Sequence, residues 1–230
     1  MIPAVALASG FLAAAGEPGG SFATHLGTTA ILALLPFVVI AGTCFAKIAV
    51  VLAIARSAFG APGVPPASVL TALAAVLSLF VMAPVTAEVA WALENTPETV
   101  TTPDRLGIAE ARALYDAAAP PLLDFLERNT PPAEIDFVRS LPPATAIDDE
   151  RSLSLLLPAF AVSELVEAFL IGVLLLLPFL AIDLIVSNTL LGLGLHMLPP
   201  TAVALPLKLL LFVTVDGWHL LVSGLVVSYG

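Results

Sequence analysis

Basic residues are scarce in this chain: eight Lys and Arg stand against eighteen Asp and Glu in 230 residues, a net charge of −10. So few cations build no phosphate-tracking patch, and a nucleic-acid footprint is therefore absent. Cysteine is scarcer still. The single Cys44 permits no intrachain disulfide and no cysteine-rich metal centre, and inside its apolar run it reads as a small packing residue. Charge of either sign is rare, at 11% of residues where a soluble domain carries about a quarter. In its place are 59% apolar residues and a mean hydropathy of +1.05, arranged in long runs that bilayer hydrocarbon accepts and a globular core does not. The composition predicts an all-α integral membrane protein with two apolar helical hairpins flanking one acidic, water-exposed segment.

Residues 1–27 are expected to form an N-terminal leader, either a weak signal peptide that is cleaved or a mobile or interfacial segment. Ala4 to Ala15 resembles a signal-peptide core, but no Lys or Arg precedes it and Gly16, Pro18, Gly19 and Gly20 follow. The first hairpin occupies residues 28–93. One span is expected from about Ala30 to Ala55, interrupted only by Lys47 and ended by Arg56. The turn, residues 56–68, carries Gly60, Pro62, Gly63, Pro65 and Pro66, through which no helix continues. A second span is expected from about Val69 to Leu93, with Pro84 and Glu88 inside it. Arg56 is the only charge in the turn, so the positive-inside rule puts the turn in the cytoplasm.

Residues 94–152 hold twelve acids and five arginines. Pro103 to Leu126 has helical spacing of Leu106, Ala109, Ala113, Ala117, Leu122, Leu123 and Leu126. Pro120-Pro121, Pro131-Pro132 and Pro142-Pro143 are expected to cut the segment into short pieces, giving a small helical domain opposite the Arg56 side. The second hairpin, residues 153–230, should begin its first helix near Pro158 and carry it to about Leu191. A loop over residues 192–200 follows, and one last helix is expected from about Ala202 to Val227. No internal repeat of 20–50 residues is evident.

Glu164, Glu167, Asp183, Lys208 and Asp216 lie within the second apolar block. Left bare in a membrane, each would cost about 2.5–3.5 kcal/mol, so each must face protein, water or another charge. Lys208 and Asp216, eight apart on one expected helix, share a face but cannot touch. Lys208 therefore needs Glu164 or Asp183 from another helix. One lysine cannot neutralise four acids, and the imbalance points to an assembly. Glu164 and Glu167 have the i, i+3 spacing of carboxylate metal sites, but no Glu-x-x-His motif accompanies them, so no metal and no cofactor is expected. His219 and Ser223, four apart, can hydrogen-bond, and Asp183 with Asp216 can mimic an acidic dyad. Neither pair has the surrounding oxyanion hole or motif of a protease. A proton- or solute-coupled transporter is the more serious rival, because such relays use buried acids and a lysine.

The ordered motifs are specific. Ala46-Lys47-Ile48-Ala49-Val50-Val51-Leu52 leads to Arg56-Ser57-Ala58-Phe59-Gly60 and Val64-Pro65-Pro66, and Leu77-Ser78-Leu79-Phe80-Val81-Met82-Ala83-Pro84-Val85 follows. Later come Leu157-Pro158-Ala159-Phe160-Ala161-Val162-Ser163-Glu164-Leu165, Pro178-Phe179-Leu180-Ala181-Ile182-Asp183-Leu184, Leu205-Pro206-Leu207-Lys208-Leu209-Leu210-Leu211-Phe212 and Val215-Asp216-Gly217-Trp218. Together they closely resemble the SctR/FliP family, the R subunit of the type III secretion export apparatus and its flagellar counterpart. Ile185-Val186-Ser187-Asn188 is closer to the injectisome branch than to the flagellar one.

The resemblance implies a multi-pass protein of the bacterial inner membrane without enzymatic activity, whose acidic segment faces the periplasm. It implies a homopentamer joined by small Q-, S- and T-type subunits, a separate ATPase, and unfolded secreted proteins as the cargo of a central pore. It places the pore constriction at Leu193, Gly194, Leu195, His196 and Met197, and assigns Lys47, Arg56, Glu164, Glu167, Asp183, Lys208 and Asp216 to assembly. The chain departs from the family in two places. Only one methionine remains in the normally methionine-rich constriction, where His196 adds a side chain type that titrates near neutral pH. Ala61-Pro62-Gly63 replaces glutamines in the first turn and stiffens it.

Overall fold

The computed structural model describes residues 33, 40–60, 65–95, 108–142 and 151–229, with the side chains of 108–111, 113 and 114 excepted. The leader, the start of the first expected span, Ala61-Pro62-Gly63 and the segment leading into the acidic domain lie outside the described residues. Among the described residues these helices follow in order: α1 Phe45–Phe59, α2 Ala67–Val81, α3 Ala83–Glu94, α4 Ile108–Arg128, α5 Pro132–Ser140, α6 Leu153–Gly192, α7 Pro200–Thr214 and α8 Gly217–Val227.

Helix α1 exists because Ile48, Val51, Leu52, Ala55, Ala58 and Phe59 recur on one face and are buried together. It runs beyond Arg56, which lies in its last turn, and stops at Gly60, whose φ of 71° only glycine adopts cheaply. The Gly60 N–H donates to Ser57 O at 3.1 Å, closing the helix end. Helix α6 begins five residues before Pro158, because Leu155, Leu156, Ala159 and Phe160 are all buried in its first turns. Val138 of α5 covers Leu155 and Ala159, and Phe125 of α4 meets Phe160 edge-on at 5.7 Å. At 40 residues α6 is about 60 Å long, twice the hydrocarbon thickness.

Three sequence expectations fail here. Helix α4 passes through Pro120 and Pro121 without a break, since burial of Ala119, Phe125 and Leu126 outweighs the lost hydrogen bonds. The span expected over Val69–Leu93 bends by 59° between α2 and α3; Pro84, the second residue of α3, lacks an N–H and its ring crowds the carbonyl of Phe80. The span expected over Ala202–Val227 likewise bends by 59° between α7 and α8. There Asp216 adopts φ 51°, and a Cβ on Gly217 would come within 2.4 Å of the Phe212 ring. Lys208 and Asp216 therefore do not share a helix. By length and composition α6 alone can cross a membrane, and with each bent pair taken as one span the described residues hold up to three.

The bends expose an internal repeat that the sequence hid. Gly60 and Gly194 both have positive φ, 71° and 73°. One constant spacing relates Gly60 to Gly194, Pro65-Pro66 to Pro199-Pro200, and Met82 to Asp216. Each proline pair starts a 15-residue helix, and each helix then bends by 59° into a shorter one of 12 or 11 residues. The buried residues of α2 are Leu70, Ala74 and Ser78; those of α7 are Ala204, Lys208 and Phe212, the same three register positions. Apolar side chains substitute freely for one another, which erases identity while preserving shape.

Helices α1 and α6 run parallel, for Lys47 faces Glu164, Ile54 faces Gly172 and Phe59 faces Phe179. Gly172 is where they come closest: a Cβ there would sit 2.4 Å from Ile54 Cδ1 and 3.1 Å from its Cγ2. Gly172→Val should therefore destabilise the protomer by about 1–3 kcal/mol, read as a lowered midpoint of thermal unfolding in detergent. Adding Ile54→Ala should recover part of the loss; no recovery would mean that the strain lies elsewhere.

Candidate functional site

Two lysines fasten α1 to its neighbours, one near each end. Lys47 is 1% exposed and reaches two carboxylates of α6, Glu164 at 3.0 Å and Glu167 at 2.7 Å. Its Nζ also lies 4.1 Å from the Tyr229 ring centroid, and the Tyr229 hydroxyl donates to Glu164. Tyr229 stacks on Phe125 of α4, so this node joins α1, α4, α6 and the chain beyond α8. A polar cleft of about 280 Å³ opens from it past Glu167, Arg128, Thr130 and Ser228. Because Glu164 is 1% exposed, each of its charges and hydrogen bonds acts with little solvent screening.

Lys208 makes the second node from α7. It donates to Asp183 Oδ2 of α6 at 2.7 Å and to Ala58 O of α1 at 3.0 Å. Ala58 lies in the final turn of α1, where carbonyls lack intrahelical donors and the helix end carries partial negative charge. A cation there satisfies both. Phe59, Phe179 and Phe212 pack on one another with centroid spacings of 5.1 to 6.4 Å in one cluster with Ala58, and Lys208 is 4% exposed.

The assignments made from sequence are thereby rearranged. Of the two acids offered to Lys208, Asp183 takes it, and Glu164 belongs to Lys47. The four acids are not left to one lysine: Lys47 from the first hairpin serves two of them, because α1 and α6 run parallel. Asp216 pairs with His219 Nδ1 at 2.8 Å. Ser223 donates instead to Leu220 O, so the proposed His219–Ser223 bond is not made, and Asp183 and Asp216 are each engaged elsewhere. Sequence reasoning missed Tyr229 and the Ala58 carbonyl. A terminal aromatic and a main-chain acceptor leave no charge pattern to find. In the acidic segment Arg151 bridges Asp124 and Glu127 of α4. The Asp124 carboxylate, with Glu127 beside it, raises the guanidinium above its usual range. The guanidinium therefore keeps its charge at every working pH.

Leu193, Gly194, Leu195, His196 and Met197 form the turn between α6 and α7, and all are exposed, Met197 at 96%. The Leu195 N–H donates to Leu190 O at 2.9 Å and the Gly194 N–H to Leu191 O at 3.0 Å. This doubly bonded, left-handed ending fixes where α6 stops and throws the next residues outward. Val186, Leu190 and Ala204 brace the base of the loop.

These features define a class: an all-helical membrane protein built from two related hairpins, held by buried charge, with an exposed apolar loop at the turn of the second. Residues 28–225 match the FliP family, and the chain belongs to it. It is 42% identical over 214 residues to the "Hypersensitivity response secretion protein HrcR" of Ralstonia nicotianae, covering 90% of this chain and 97% of that one. It is 41% identical over 206 residues to the "Yop proteins translocation protein R" of Yersinia pestis, covering 87% and 93%. Against the "Virulence protein YscR" of Salmonella typhimurium the identity is 39% over 212 residues, covering 89% and 95%.

Proposed function

We propose that the chain is a pore-forming subunit of a type III secretion export apparatus of the injectisome branch, conducting unfolded proteins across the bacterial inner membrane. The observation that carries this reading is the match along nearly the whole chain to relatives named for secretion and translocation. The exposed loop supplies the mechanism. Copies of Leu193–Met197 converging on an axis present apolar, flexible side chains that seal against ions and part for a peptide. The Gly60 and Gly194 turns point the same way along parallel helices and so share one side, for which Arg56 favours the cytoplasm, with the acidic helices α4 and α5 towards the periplasm. Neighbouring subunits cover the exposed apolar faces of α2, α3 and α6, and the ATPase and small subunits act around the ring. No bond is made or broken by this chain.

The test is a reconstituted, full-mass assembly. Replacing Leu193, Leu195 and Met197 together by Ser should raise ion conductance through the closed pore several-fold and impair secretion in cells. An unchanged conductance with the assembly intact would remove the loop from the closure.

A further inference from the structure

The internal repeat acts as a control on the charges of the second hairpin. In the first hairpin the 59° bend is made at Met82, φ −79°, with no charge and no left-handed residue. In the second the same bend carries Asp216 at φ 51°, among the described residues the one non-glycine with positive φ. The first bend has Pro84 to break its helix, whereas the matching position of the second is Trp218; the second bend therefore uses a left-handed residue, but it does not need a charged one, since glycine or asparagine adopts that conformation. Nor is the carboxylate covered. The Asp216 and His219 side chains are 70% and 87% exposed, and the exposed Val213, Val215 and Leu220 surround them. Hydrocarbon is a poor cover for such a pair.

The other hairpin holds a complementary charge. Lys47 and Lys208 are consumed inside the protomer. Among the described residues of the apolar helices, Arg56 is the cation with no ion-pair partner. It also lies at the right height. Phe59 and Phe212 touch at 5.1 Å. Arg56 is about one turn back from Phe59, and Asp216 follows Phe212 by four residues at the bend just past the end of the antiparallel α7, so both lie on the same side of the Phe59–Phe212 contact. Rotation about an axis along the helices preserves height, so successive copies in a ring can bring the two together.

We propose that Asp216, oriented by His219, receives Arg56 of a second copy of this chain, making a repeated ionic contact between the first hairpin of one protomer and the bend of the next. This rests on the reading that several copies surround a conduit. The charge at Asp216 then has a purpose, and the left-handed backbone turns the carboxylate away from its own protomer.

The test is oxidative cross-linking of the full chain in its native membrane, with Arg56→Cys and Asp216→Cys together in a Cys44→Ala background. The expected result is a ladder of covalent multimers, absent from either single-cysteine variant. A complex of wild-type mass that gives no ladder overturns the proposal, and leaves lipid or a different subunit as the cover of Asp216. Asp216→Asn separates charge from conformation, because Asn also tolerates the left-handed region. It should lower the yield of the full-mass complex, and a wild-type yield would overturn the ionic contact. A ladder together with unchanged conductance of the Leu193, Leu195 and Met197 serine variant would sink the conduit reading and keep the interface; raised conductance of that variant with no ladder would do the reverse.

Discussion

Lys47→Ala should destabilise the protomer by about 3–5 kcal/mol, the cost of leaving a buried charge without its partner. Glu164 would keep only the Tyr229 hydroxyl, and Glu167 would face it across a vacated site. Two carboxylates that now share one ammonium would repel each other in a poorly screened interior. The loss is comparable to much of the 5–15 kcal/mol that holds an ordinary domain together. It should appear as a large drop in thermal unfolding midpoint and a poor yield of monodisperse protein in detergent. Lys47→Met with Glu164→Leu should return most of the stability, since apolar side chains of similar volume often replace a buried pair without loss. If Lys47→Ala were neutral, Glu164 would have to be protonated in the native protein, and the ionic description of this node would fall.

Lys208→Ala should cost somewhat less within the fold and more in the assembly. Asp183 has a side chain 37% exposed, so solvent screens part of the loss, and the lower end of about 3–5 kcal/mol is expected. The Ala58 carbonyl would also lose its only side-chain donor. Because this one ammonium ties α1, α6 and α7 together beside the Gly60 turn, its removal frees the two hairpins to shift against each other. The full-mass complex should then be absent from detergent extracts even where the protomer still accumulates. Asp183→Asn, which keeps an acceptor, should be milder, at about 1 kcal/mol. Normal recovery of the complex from Lys208→Ala would refute the assembly role and leave the node a purely internal tie.

The sequence disclosed the helical class, the acidic interruption and the turns at Gly60 and Gly194, because glycine, proline and charge act locally. It narrowed the partner of Lys208 to two acids. It could not choose between them, since the choice depends on α1 lying parallel to α6 in one register, which no local pattern encodes. The 59° bends were under-read for a related reason: Pro84 and Asp216-Gly217 mark the places, but hydropathy is the same for a straight span and a bent one, so the size of the angle is not local information. Pro120 and Pro121 misled in the opposite direction, where packing of Phe125 and Leu126 overrode a strong local breaker. Tyr229 carried no signal until Lys47 and Glu164 were seen beneath it.

The bend in each return limb has a consequence for biogenesis. Helices α2 and α3 hold 15 and 12 residues, α7 and α8 hold 15 and 11, about 16–22 Å apiece against some 30 Å of hydrocarbon. Neither half spans the bilayer, whereas the two joined straight, at about 40 Å, span it easily. Each limb therefore counts as one segment at insertion. Bent by 59°, it still reaches about 35 Å from end to end, so the angle takes up the surplus length of the straight limb and leaves a segment matched to the hydrocarbon.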